Sequence, residues 1–253
     1  MTDLSNRVVL ITGASSGLGA CFARAASENG AAVALAARRA DRLADLKAEI
    51  EAKGGRAVAV EMDVADEASV SAGFDAAQAA LGPVNSVIAN AGMNYPSSAL
   101  GIPIAEFDKV MDVNLRGVFI TAREAAKRMI AAGSPQSGDG RIVLVGSVGS
   151  HRVLEKLVAY NASKAAVLMM GKALAKEWAQ KGINVNVVCP GWIATELNSE
   201  WLASPAGQAL IESFPRKRAM EPADLLPPIM LLLSDAARTI TGASFELDDG
   251  QSL

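Results

Sequence analysis

Seven short apolar runs recur along the chain, separated by longer segments in which apolar and polar residues mix as they do on helices. The runs are "VVLIT" from Val8, "AVALAA" from Ala32, "AVAVEM" from Ala57, "SVIAN" from Ser86, "RIVLVGS" from Arg141, "INVNVVCP" from Ile183 and "SFELD" from Ser244. Most lack polar-apolar alternation, which suits parallel strands buried on both faces. A segment such as "DRLADLKAEIEAKGG", opening on Asp41 and closing on Gly54 and Gly55, has the start and stop signals of a helix. Strand and helix in series predict βαβ units and an α/β fold, a doubly wound parallel sheet with helices on both faces. One domain over residues 1–253 is expected, with "AAGSPQSGDG" at 131–140 as a loop within it. The rhythm breaks only after the sixth run. There Trp192 to Pro215 mixes Trp, Leu and Phe with Ser, Pro and Gly, and is expected to form a lid over a substrate.

Composition removes several function classes. A net charge of -3, with 51% apolar and 20% charged residues, offers no basic face for nucleic acid. The opening "MTDLSNRVVLITG" lacks a leader pattern, and no apolar run approaches membrane-spanning length, so a cytoplasmic location is expected. Cys21 and Cys189 sit in apolar stretches and are expected to be reduced, buried thiols. His151 is the single histidine, so a metal site would need unusual ligands and no metal is expected. "GSVG" at 146–149 misses the nucleophile elbow of hydrolases by one position.

The first run ends in "TGASSGLG", Thr12 to Gly19, ahead of a helix-like segment. Gly13, Gly17 and Gly19 would let the backbone turn and approach a pyrophosphate resting on amides of Ser15, Ser16 and Leu18 at a helix N-terminus. That turn lies at the carboxyl edge of the sheet, where open α/β sheets bind ligands, so a dinucleotide cofactor is expected. A carboxylate closing the second strand would select NAD; here Ala36 and Ala37 are followed by Arg38 and Arg39. NADP(H) is therefore the preferred cofactor, with NAD(H) as the alternative and Arg38 the better partner for the 2′-phosphate. Asp63, followed by Val64, ends the third strand where it can accept from adenine, and "ANAG", Ala89 to Gly92, brings Asn90, Ala91 and Gly92 to the cofactor.

Taken together, "TGASSGLG", the Asp63–Val64 pair, "NAG" at 90–92, Asn114 in "VNLRG", Ser147 in "VGSVGS", "YNASK" from Tyr160 to Lys164, and "PGWIAT" at 190–195 resemble the short-chain dehydrogenase/reductase family of the classical type, over nearly the whole chain. The resemblance implies a Rossmann-type fold, a homotetramer, and a catalytic tetrad carried by Asn114, Ser147, Tyr160 and Lys164. It also implies cofactor contacts from Pro190, Gly191, Ile193 and Thr195.

The chemistry is coherent. Hydride reaching a carbonyl carbon leaves its oxygen in need of a donor and a proton, supplied by Ser147 and Tyr160. Tyr160 and Lys164 share one helix face, so an ammonium about 4 Å away would lower the phenol's pKa from about 10. By resemblance, Lys164 also holds the nicotinamide ribose and Asn114 a proton-relay water. The sequence departs from the family pattern in Ala89, in Ser16 and in the tail "ELDDGQSL".

An apolar or aromatic carbonyl, or the corresponding alcohol, is the expected small-molecule substrate, walled by residues drawn from Tyr95, His151, Val153, Leu154, Trp192, Trp201, Leu202 and Phe214. Two other readings are open: a 3-oxoacyl-[acyl-carrier-protein] reductase, its carrier met by the basic "PRKR" at 215–218, and a catalytically silent NADP-binding regulator.

Overall fold

The computed structural model describes residues 2–195 and 198–253. Seven strands, β1 (Val8–Thr12), β2 (Ala32–Ala37), β3 (Arg56–Glu61), β4 (Ser86–Ala89), β5 (Gly140–Val145), β6 (Ile183–Pro190) and β7 (Ser244–Leu247), form one sheet in the order β3-β2-β1-β4-β5-β6-β7. Each strand pairs in parallel with its neighbours. The order reverses between β1 and β4, and a crevice at the carboxyl ends of these strands follows from that topology.

The helices are α1 (Gly17–Glu28), α2 (Ala40–Ala52), α3 (Glu67–Leu81), α4 (Ile104–Met111), α5 (Gly117–Ala131), α6 (Ser134–Ser137), α7 (Val158–Trp178), α8 (Ser199–Ala203), α9 (Pro205–Ser213) and α10 (Leu226–Leu233). Because side chains alternate across a strand, one sheet feeds two cores. Val9 and Ile11 of β1 join Phe22 of α1, Leu43 of α2 and Ile229 of α10 on one face. Leu10 joins Phe74 of α3, Met129 of α5 and Val167 of α7 on the other. A buried phenylalanine such as Phe22 or Phe74 typically carries about 3–5 kcal/mol against truncation. This two-sided packing holds the carboxyl ends of the strands rigid beneath the crevice.

Two local expectations change. The 131–140 segment is not all loop: Pro135 sits in the first turn of the short helix α6. Cys189 is buried but Cys21 only half so; both are free thiols. The apolar "LLPPIMLLLSD" spends its apolar residues within the core, since Ile229, Met230, Leu232 and Leu233 are buried and only Leu231 of α10's large apolar residues is exposed. Among the described residues no helix is long and apolar enough to cross a membrane, and no cluster of His, Cys, Asp and Glu could hold a metal ion.

Candidate active site

The crevice is a cleft of about 660 Å³ running from the turn after β1 to the first turn of α7. Thr12, the last residue of β1, builds its floor. Its hydroxyl oxygen accepts from the backbone N–H of Asn90 and of Ala91, each at 3.0 Å, while Asn90 Nδ2 donates to the Thr12 carbonyl at 2.9 Å. The three glycines of the turn have different jobs. A Cβ on Gly13 would stand 2.9 Å from Asn90 Nδ2, and one on Gly19 only 2.3 Å from the Gly13 carbonyl oxygen, so these two let chain segments touch each other. Gly17 has φ +53° and nothing within 4 Å of where a Cβ would be; it alone opens onto free space. Ser16 caps α1 without a side-chain hydrogen bond, which leaves the first-turn amides to an incoming anion. A cradle emptied of side chains at a helix N-terminus fits a dinucleotide's pyrophosphate.

Charge at this end is predominantly positive. Arg38, Arg39 and Arg42 line the cleft, and Asp63 is its only carboxylate among the described residues. Arg39, rather than Arg38, reaches the turn: Nη2 donates to Ser15 Oγ at 2.8 Å and to Ser16 Oγ at 2.6 Å. Asp63 spends one oxygen, Oδ1, on the N–H of Ala65 at 3.0 Å.

At the other end, β5 runs out into Ser147, which caps a 3-10 turn (Val148–Ser150), and a loop leads to α7. Ser147 Oγ accepts the N–H of Gly149 at 3.0 Å and faces the Tyr160 phenol, whose ionised form its hydroxyl favours. With one lone pair on the Gly149 N–H, the serine keeps its proton and a second lone pair for the phenol or a substrate oxygen. Lys164, one turn along α7 from Tyr160, is buried; its Nζ donates to the Val145 carbonyl at 2.8 Å and lies 5.7 Å from the centre of the tyrosine ring.

Asn114 enters from a π-helical turn, Asp112–Arg116, between α4 and α5. The wider turn carries Asn114 into full burial, where Oδ1 accepts from Met93 N and Nδ2 donates to Met93 O, both at 2.8 Å. Nδ2 also reaches Ser163 Oγ at 3.2 Å. Asn114 therefore does not line the cleft; it fixes the irregular segment that follows "NAG".

The electrostatics correct one expectation. Burial pushes the Tyr160 phenol above its ordinary value, with the Ser147 hydrogen bond opposing the rise, and Lys164 does not bring it down. Burial also lowers the Lys164 ammonium to about 8. Both groups are thus held toward their neutral forms. Lysine's depressed pKa has a stability consequence whose sign is fixed. Between about 8 and 10.5 the unfolded chain binds the lysine proton and the folded one does not, so stability from this group rises with pH across that window. The stability of Lys164→Met relative to the parent should fall by on the order of 2–3 kcal/mol between pH 7 and pH 10 in urea titrations. A pH-independent difference would contradict a buried, discharged lysine.

Residues 7–206 match the family model described as short chain dehydrogenase. The chain belongs to that family. Along its length it is similar to D-threitol dehydrogenase of Mycolicibacterium smegmatis, 34% identical over 99% of this chain and 94% of that protein. It is likewise similar to an NAD-dependent glycerol dehydrogenase of Listeria innocua, 33% identical over 99% and 96%. Among solved structures, a gluconate 5-dehydrogenase from Burkholderia cenocepacia in complex with NADP and tartrate superposes with a TM-score of 0.92 at 31% identity, covering 99% and 96%. This short-chain dehydrogenase is an oxidoreductase acting on a small molecule with a nicotinamide cofactor.

Most residues expected at the site of this dehydrogenase do line one cleft: Gly13, Ser15, Ser16, Gly17, Leu18, Arg38, Arg39, Asp63, Val64, Asn90, Ala91, Gly92, Ser147, Tyr160, Lys164, Pro190, Ile193 and Thr195. Gly19 and Gly191 lie behind it, Gly191 packed on Asp248 and Gln251. The substrate wall is smaller than expected. Leu154 and Trp192 line the cleft; Leu202 and Phe214 are buried, and Val153 is 86% exposed. His151 instead approaches Glu246 of β7 at 3.6 Å. Trp201 stacks on the back of Trp192, centroids 5.0 Å apart. Of the lid segment 192–215, residues 196 and 197 lie outside the described residues.

Sequence reasoning missed Met93, Asn94, Val113, Leu157 and Asn198 in the wall. Met93 and Asn94 directly follow "NAG" and could have been included on that ground. Gln251, in the divergent tail, accepts from Trp192 N at 2.6 Å and donates to Trp192 O at 3.2 Å, so the tail positions a cleft residue after all. The basic "PRKR" is partly paired within the chain: Arg216 and Arg218 share Asp249 at 3.3 and 2.7 Å, and Lys217 meets Glu212 at 3.3 Å, three cations on two carboxylates.

Proposed function

We propose that this short-chain dehydrogenase interconverts a ketone or aldehyde and its alcohol with NADP(H), Tyr160 acting as general acid and base. One observation carries the reading: Ser147, Tyr160 and the buried Lys164 meet at one end of the cleft whose other end presents three arginines. A nicotinamide, when bound, supplies or takes up the hydride at its C4.

The chain's own residues do the rest. Ser147 donates to the carbonyl oxygen, and Tyr160 gives it a proton. A phenol kept protonated by burial is the form that reduction requires at neutral pH. Lys164 resupplies the phenol. Lys164 Nζ and Asn114 Oδ1 flank Gly92, where a Cβ would lie 3.6 and 3.4 Å from them. At the cofactor end, Arg38 and Arg39 take the 2′-phosphate, with no carboxylate at the end of β2 to bind free ribose hydroxyls.

Val148, Leu154, Leu157 and Trp192 line the cleft around the tyrosine, with Asn94 among the polar exceptions, which favours a carbonyl bearing an apolar group. Ion pairs to Asp249 and Glu212 offset two of the three charges of the basic segment at 215–218, which leaves less of it for an acidic protein carrier. The test is turnover of acetophenone, 2-octanone and an acetoacetyl thioester, each with NADPH and with NADH. Consumption of NADPH with the two ketones is expected. Turnover confined to the thioester, or equal turnover with NADH, would overturn the reading of substrate or cofactor respectively.

A further inference from the structure

Beneath Ser147 and Lys164 lies a hydroxyl that the chemistry above does not use. Ser150 Oγ accepts the Ser147 N–H at 3.3 Å and donates to the Lys164 carbonyl at 2.9 Å. It is the only side chain among the described residues that hydrogen-bonds the backbone of both. Ser150 also completes a capping box with Ser147, each side chain satisfying the other's stretch of backbone. The room beneath is tight: a Cβ on Gly146 would stand 3.2 Å from Ser150 Oγ and 3.0 Å from the buried Cys189 Sγ.

Two bonds therefore tie the end of β5 to the start of α7, and both run through Lys164. Its Nζ holds Val145, and its carbonyl is held by Ser150. The first is itself part of the proposed catalytic set. The second is not, and it fixes where Ser147 stands relative to a tyrosine one helical turn before that carbonyl. A shift of a few tenths of an ångström there lengthens the hydrogen bond on which the phenol's proton affinity depends.

We propose that Ser150 is a positioning residue: by joining Ser147 N–H to the Lys164 carbonyl, it holds the Ser147 hydroxyl on the Tyr160 oxygen. This rests on the role given to Tyr160 above, but its test does not need the substrate. The chain has two tyrosines, Tyr95 and Tyr160, so Tyr95→Phe leaves Tyr160 as the sole phenol. Its ionisation can then be followed by the phenolate absorbance at roughly 295 nm. The charged or titratable groups facing that phenol are Lys164 from α7 and Cys189 from β6, and neither is altered.

In the Tyr95→Phe background, Ser150→Ala should raise the Tyr160 midpoint by about 0.5 to 1 pH unit, because a hydrogen bond that favours phenolate has slackened. Ser150→Thr, which keeps the hydroxyl, should restore it. With a ketone that the parent reduces, Ser150→Ala should lose roughly tenfold in kcat at unchanged NADPH Kd. Should Ala not fold, Ser150→Gly removes the same hydroxyl and carries the same expectation. An unmoved midpoint in a folded Ser150→Ala or Ser150→Gly variant overturns the positioning role. Undiminished turnover by a Tyr160→Phe variant would instead overturn the role of Tyr160, so the two failures are distinguishable.

Discussion

Tyr160→Phe should lose about a thousandfold in kcat while binding NADPH within about twofold of the parent. The phenol ring stays, so the packing that closes α7 against the cleft is kept; only the oxygen that Ser147 addresses is removed. The cofactor contacts proposed above lie at the other end of the cleft, in the turn after β1 and the arginines after β2. Kinetics and fluorescence titration on one preparation separate the two. Loss of NADPH binding together with turnover would mean that the tyrosine holds the cofactor rather than moving a proton.

The second large effect concerns cofactor choice. Ala37→Asp combined with Arg38→Ala should lower the ratio of kcat/KM for NADPH to that for NADH by about 10²–10³-fold. The aspartate would stand at the end of β2, facing the cleft, where it can accept from two ribose hydroxyls and repel a phosphate. Arg39→Ala alone should weaken NADPH about tenfold and leave NADH unchanged, since only NADPH carries the 2′-phosphate proposed to meet that guanidinium. A preference that survives all three substitutions would reduce these arginines to a solvated loop.

The sheet was legible because parallel strands buried on both faces leave unbroken apolar runs, and each of the seven runs marks an observed strand. The cleft was legible for a related reason: its residues fall at strand ends, so locating the strands also locates Thr12, Asn90 and Ser147. What escaped depends on side-chain direction. Nothing in "VNLRG" signals the π-helical turn that withdraws Asn114 from the cleft and ties it to Met93. Neighbouring arginines cannot be ranked by residue type, and Arg39, the first residue before α2, is the one that turns back to the serines. Burial raises Tyr160 and also lowers Lys164, so the lysine does not bring the phenol down as its spacing suggested; that outcome is set by packing. Gln251 was hidden by a tail unlike the family's, although its amide does the work of a strand edge on Trp192.

Hydride transfer between a nicotinamide and a carbonyl carbon in this cleft is checked by incubating the protein with 2-octanone and NADPH carrying deuterium at both C4 positions, then examining the alcohol by mass spectrometry. One deuterium on the carbinol carbon, absent from the product of Tyr160→Phe over the same time, is the expected result. An alcohol formed without deuterium, or the same deuterated yield from the phenylalanine variant, would contradict it.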